Sequence, residues 1–113
     1  MGSEQGRQKF GLNNGAIDRI NAIFAAHPLV EQVIVYGSRA KGNFRPGSDI
    51  DLIIKGESVT LSELMKIETE LDDLLLPYKI DLSLLHKISD ADVLDHIRRI
   101  GATFYQKGQF SQL

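Results

Sequence analysis

The sequence predicts a small α/β (α+β) domain, a mixed β-sheet with helices packed against it. Three observations carry that expectation. Apolar runs at residues 30–36, 49–55 and 78–85 have strand length, β-branched content and turn residues at their ends. Between and around them lie segments whose apolar residues recur every three or four positions behind capping residues, as in amphipathic helices. Finally, acidic residues sit at the heads of two runs, Asp49 and Asp51 on the second and Asp81 on the third. To bring them to the glycine-bounded end of the first run, the first two strands must be antiparallel. The second and third, separated by a helix, suit a parallel right-handed crossover.

The elements follow in chain order. Residues 1–12 read as a flexible leader, 13–106 as the folded domain and 107–113 as a polar tail. Asn13 or Asn14 can cap a first helix, with Ile17, Ile20, Ile23 and Phe24 on one face. His27-Pro28 ends it, because the residue before proline is pushed out of the helical region. After the first strand, a short helical turn over residues 39–42 would aim its N-terminus at a bound phosphate. Thr60-x-x-Glu63 is a capping-box pattern opening the next helix, whose apolar face is Leu61, Leu64, Met65, Ile67, Leu71, Leu74 and Leu75. Pro77 bars its continuation. Ser89-x-x-Asp92 is a second capping box before Val93, Leu94, Ile97 and Ile100, and Gly101 is a C-terminal stop. Residues 102–106 add a short edge strand.

Composition narrows the function. A chain of 113 residues holds one core and no second substrate domain. Its net charge of −2 gives no general attraction to nucleic acid or membrane, so direct nucleic-acid binding is not expected. The absence of cysteine excludes disulfides and cysteine–zinc sites and fits a reducing cytoplasm. No apolar run approaches the roughly 20 residues that span a bilayer. His27, His86 and His96 are far apart, lack metal-ligand spacing and read as ordinary surface or helix-end residues.

The chemistry concentrates at residues 33–54, VIVYGSRAKGNFRPGSDIDLII. Strand alternation puts Asp49 and Asp51 on one face, and Ile50 and Leu52 on the other. Two such carboxylates repel unless a cation sits between them, and Mg²⁺ takes carboxylate oxygens while leaving positions for substrate phosphates. The glycine-containing loop ahead of them offers backbone N–H groups and positive charge. Together these read as a site for a metal–nucleoside triphosphate. Asp81 interrupts an otherwise apolar strand; alone it would read as solvent-facing, but beside Asp49 and Asp51 it is the third carboxylate a two-metal site requires. Arg39, Lys41 and Arg45 either neutralise pyrophosphate or form a solvated basic loop, and the residues leave both open. No G-K-[ST] makes the loop a Walker site, and no EF-hand spacing follows the acids.

Gly37-Ser38-Arg39-Ala40-Lys41-Gly42 followed by Ser48-Asp49-Ile50-Asp51-Leu52 resembles the signature of the DNA polymerase beta-like nucleotidyltransferases. In a chain this short it most resembles the minimal nucleotidyltransferases (MNT), antitoxin partners of HEPN-domain toxins. The resemblance covers roughly residues 13–106. It implies the nucleotidyltransferase fold, a catalytic and metal-binding triad of Asp49, Asp51 and Asp81 with two Mg²⁺ ions, and nucleotide binding by Gly37 and Ser38. It further implies transfer of NMP, with ATP as donor, to a hydroxyl of a HEPN toxin. The alternatives are an adenylyltransferase acting on a small molecule and a non-catalytic antitoxin that works by binding alone.

Overall fold

Strand pairing decides the architecture. The computed structural model describes residues 8–42 and 49–108. Its main sheet contains β3 (Gln32–Tyr36), β4 (Ile50–Lys55), β5 (Ile80–Leu84) and β6 (Ala102–Gln106), in the order β5-β4-β3-β6. β3 is antiparallel to β4 and β6, and β4 is parallel to β5, as the position of the acids predicted. A small hairpin of β1 (Gln8–Lys9) and β2 (Leu12–Asn13) precedes α1 (Asn14–Ala25). The one-turn α2 (Ser38–Lys41) follows β3, α3 (Leu61–Asp72) joins β4 to β5, and α4 (Ala91–Ile100) leads into β6.

Period-two alternation gives the sheet two faces. Val33, Val35, Ile50, Leu52, Ile54, Leu82 and Leu84 pack in one core with Ile20 and Phe24 of α1 and Ile67 and Leu71 of α3. Tyr36, Asp51 and Ile53 point to the other face, part of which α4 covers: Gly101 at its end has no Cβ because one would stand 2.7 Å from Ile34 Cγ2. On β6 the register to β3 shifts between Val33 and Ile34, which pair with Tyr105 and Thr103. Phe104 is the extra residue of that bulge, which lets neighbouring Phe104 and Tyr105 both be buried.

Local signals hold where a cap or a breaker acts alone. Asn13 caps α1, its Oδ1 accepting from Ala16 N–H at 2.8 Å. Thr60 Oγ1 accepts from Glu63 N–H at 3.1 Å, but Glu63's carboxylate turns away to His27 instead of closing the capping box. At α4 the cap is Asp90 and not Ser89: its Oδ1 accepts from Asp92 N–H at 2.9 Å and Val93 N–H at 3.3 Å. The α3 stripe is narrower than its leucines suggest. The helix stops at Asp72, and Leu75, at φ 55°, is 87% exposed.

The stretch read as a leader also differs. Lys9 pairs with Leu12 around a Phe10-Gly11 turn with both φ positive, the geometry of a two-residue hairpin. Leu12 is fully buried in the main core, and the Phe10 and Phe104 rings lie 6.0 Å apart. The expectations for residues 1–7, for Arg45 and Ser48, and for residues 109–113 fall outside the described residues.

Candidate active site

Three strands present one row of side chains. Tyr36 pairs with Asp51 across β3 and β4, and Asp51 pairs with Asp81 across β4 and β5. Side chains opposite one another on paired strands share a face, so the phenol and the two carboxylates stand side by side. Asp49, exposed just ahead of β4, lies close enough for its charge to act on Asp51. The row therefore holds Asp51, Asp81 and Tyr36, with Asp49 just outside it.

Gly37 closes the end of β3 beside this row. Its φ 78° and ψ −152° lie in a region open to glycine alone. A Cβ at this position would stand 2.7 Å from Asp51 Oδ2, so glycine makes room for a carboxylate of this chain. Ser38 opens α2, where the first hydrogen bond runs from Lys41 N–H to Gly37 O at 3.1 Å, so the amides of Ser38 and Ala40 lie ahead of the helical bonding. Gly42 ends the turn in the left-handed region at φ 87°.

The electrostatics are those of crowded acids. Burial pushes the Asp51 carboxyl above its ordinary range, the Asp81 and Asp49 charges push it further, and Arg39 opposes them. Burial also raises the Tyr36 phenol, with Asp51 and then Asp81 adding to it. Among the described residues, no three carboxylate or imidazole side chains are gathered closely enough to hold a metal ion as they stand. The donor set nevertheless fits Mg²⁺. It is all carboxylate oxygen and is disfavoured by its own repulsion, and such oxygens leave Mg²⁺ positions for substrate phosphates.

Two basic residues of the loop part company. Lys41 is exposed. Arg39 is 3% exposed, donates from Nη1 to Phe10 O at 2.8 Å, and sets its guanidinium 5.1 Å from the centre of the Tyr78 ring. It is a buried tether that ties the hairpin to the site, where the sequence suggested a phosphate ligand or a solvated side chain. Tyr36 was visible only as the last residue of an apolar run; its place before Gly37, two positions from half-buried Ile34 by alternation, was the available signal. His27, read as an ordinary surface or helix-end residue, does follow the end of α1 but is buried between Glu63 and Glu70, with Nδ1–Oε2 2.5 Å and Nε2–Oε1 2.8 Å.

A second concave region lies away from the acid row. A cleft of about 420 Å³ lies at the opposite end of the same sheet face, between Ile34, Leu94, Ile97, Lys55 and Arg98. Among the described residues no carboxylate lines it; its charged residues are Lys55 and Arg98.

Residues 18–109 match the family model described as "Polymerase beta, Nucleotidyltransferase". No curated protein matches the chain. Among solved structures, one of a toxin–antitoxin with AMP-PNP superposes with a TM-score of 0.66 at 18% identity, covering 83% of this chain and 76% of that one. A second, a tri-AMPylated Shewanella oneidensis HEPN toxin in complex with MNT antitoxin, gives 0.60 at 15%, covering 86% and 75%. The MntA-HepT toxin–antitoxin gives 0.62 at 15%, covering 88% and 78%. At these identities the likeness is one of fold. With the family match running from α1 through β6, the chain belongs to the polymerase beta nucleotidyltransferase family.

Proposed function

We propose that this chain is a Mg²⁺-dependent protein adenylyltransferase that moves AMP from ATP to a hydroxyl of a HEPN-type toxin, and so acts as an antitoxin of the MNT kind in the cytoplasm. The observation that carries the reading is the register row in which Asp51 pairs with Asp81 beside a glycine-only turn. The fold-level likeness to an MNT antitoxin in complex with an AMPylated HEPN toxin supports the choice of acceptor.

Each residue has a part in that chemistry. The backbone of Gly37 and the hydroxyl and N–H of Ser38 would hold the triphosphate. Asp49 and Asp51 would hold two Mg²⁺ ions, with Asp81 contributing on the acceptor side. When bound, the ions supply charge neutralisation at the α-phosphate and a more acidic acceptor hydroxyl. The acceptor oxygen bonds to the α-phosphorus as the bond from that phosphorus to the bridging oxygen breaks. Asp81 receives the hydroxyl proton, and pyrophosphate leaves with the bonding electron pair.

The test is the fate of label in the presence of a HEPN-type partner protein. α-labelled ATP should mark that partner, and γ-labelled ATP should not. Transfer of the γ-label would make the protein a kinase. Tight partner binding without any transfer would leave the non-catalytic antitoxin.

A further inference from the structure

The sheet face that carries the acids carries cations at its other end. By alternation Asp51, Ile53 and Lys55 of β4 share that face with Tyr36, Ile34 and Gln32 of β3, and Gln32 pairs with Lys55. Lys55 is four residues from Asp51, about 13 Å along the strand. There the cleft of about 420 Å³ has apolar walls of Ile34, Leu85, Leu94 and Ile97, with Lys55 and Arg98 as its charged residues. Both cations are exposed, and among the described residues neither forms an ion pair. The next residue on α4 behaves differently: Arg99 Nε donates to Asp95 Oδ2 at 3.0 Å.

The cleft does not end at Lys55. A hollow of about 530 Å³ shares Lys55 and Leu85 with it and adds Glu31, Glu57, Ser58 and His86. Together they form a groove that changes from basic to acidic along its length, with the apolar side chains in its basic half. A compact acid would fill one end of such a groove. A segment of polypeptide can follow both.

Resting on the adenylyltransferase reading, we propose that this groove docks the protein acceptor, through a segment that carries acidic and apolar side chains together and a basic residue beyond them. Charge complementarity selects that occupant. Carboxylates of the segment meet Lys55 and Arg98, its apolar side chains cover Ile34, Leu94 and Ile97, and its basic residue meets Glu31 and Glu57. A protein anchored there lies on the same sheet face as Asp51 and Asp81, so its hydroxyl need not pass around a sheet edge to reach them. Contacts this far from the reacting atoms are the same before and during transfer. They set the KM for the acceptor and leave kcat alone.

Calorimetry with a HEPN-type protein, in the absence of ATP, reads the docking directly. The charge-reversing double variant Lys55→Glu, Arg98→Glu should weaken binding by at least about tenfold and flatten its dependence on salt. With ATP and Mg²⁺ present, it should raise the KM for the acceptor by a similar factor, with kcat and ATP affinity unchanged. Lys55→Arg with Arg98→Lys should retain native affinity. So should Lys66→Glu, an exposed position on α3, which packs on the opposite face. Near-ultraviolet circular dichroism checks that each variant is folded. Unchanged affinity in the folded double variant, or an equal loss from Lys66→Glu, overturns the proposal. The wild-type chain separates docking from transfer. If it labels the acceptor and the double reversal leaves KM unmoved, only the docking falls. If the acceptor binds through the groove but takes no label, only the transfer falls; if it neither binds nor takes label, both fall.

Discussion

Gly37 and Asp51 occupy one space: a Cβ on residue 37 would lie 2.7 Å from Asp51 Oδ2. The glycine is required twice, once for its backbone angles and once for the carboxylate beside it. Gly37→Ala should cost about 1–3 kcal/mol of stability from the glycine-only conformation. It should also displace Asp51 and abolish AMP transfer in protein that is still folded. Chemical denaturation beside a transfer assay checks this; an alanine variant with full activity would show that the carboxylate does not need its present position.

The Asp51 carboxyl is held above its ordinary range by burial, then by Asp81 and Asp49. A raised carboxyl is penalised in its charged form. The penalty is absent below the unfolded value, near 3.9, and complete above the folded one. Asp51→Asn should therefore raise the thermal midpoint at neutral pH, where about 1 kcal/mol corresponds to about 4–8 °C in a domain of this size. That gain should disappear as the pH falls through the carboxylate range. AMP transfer should be lost, so the variant would be steadier and inactive.

Added Mg²⁺ should reverse that ordering for the native chain. Calorimetry should find ATP binding much weakened when EDTA replaces Mg²⁺, and insensitive to EDTA in the double variant Asp49→Asn, Asp51→Asn. Asp81→Asn should slow transfer by about 10²–10⁴-fold, the size of a general-base contribution, with a smaller effect on ATP affinity. Equal ATP affinity with and without Mg²⁺ in the native chain would remove the metal from the mechanism.

His27 gives the fold a pH dependence. Burial disfavours its charge, but hydrogen bonds to Glu70 and Glu63 outweigh burial and raise its pKa above the ordinary 6.5. Both ring nitrogens face carboxylates, so both must donate, and the imidazolium is the form that fits. Its stabilisation is fully present below about 6.5 and is lost as pH rises through the folded value. His27→Gln should cost about 1 kcal/mol under mildly acidic conditions, discounted for the exposure of the glutamates. It should also flatten the fall in thermal midpoint towards alkaline pH, which a pH series of melts would read.

Arg39 and Lys41 should behave as opposites in spite of their shared loop. Arg39→Met removes the Nη1 donor from the Phe10 carbonyl and the guanidinium from Tyr78. The expected loss is about 1–3 kcal/mol. Lys41→Met, on an exposed side chain, should change stability by less than about 0.5 kcal/mol. Equal losses in a denaturation series would contradict the tether.

The sequence by itself determined what is local or periodic. Alternation assigned Asp51 and Asp81 to one side of their strands, Asn13 and Thr60 announced helix starts, and the need for the acids to meet gave the strand directions. Each of these follows from neighbouring residues or a repeat of two or 3.6. Tertiary structure decided whatever depends on partners far apart in the chain. Glu63 forms half a capping box because His27, 36 residues earlier, takes its carboxylate. Arg39 turns inward because Phe10 and Tyr78 arrive from other elements. Tyr36 joins the acids because antiparallel pairing sets it opposite Asp51. Strand period places a side chain on a face, but only register across strands chooses its neighbours.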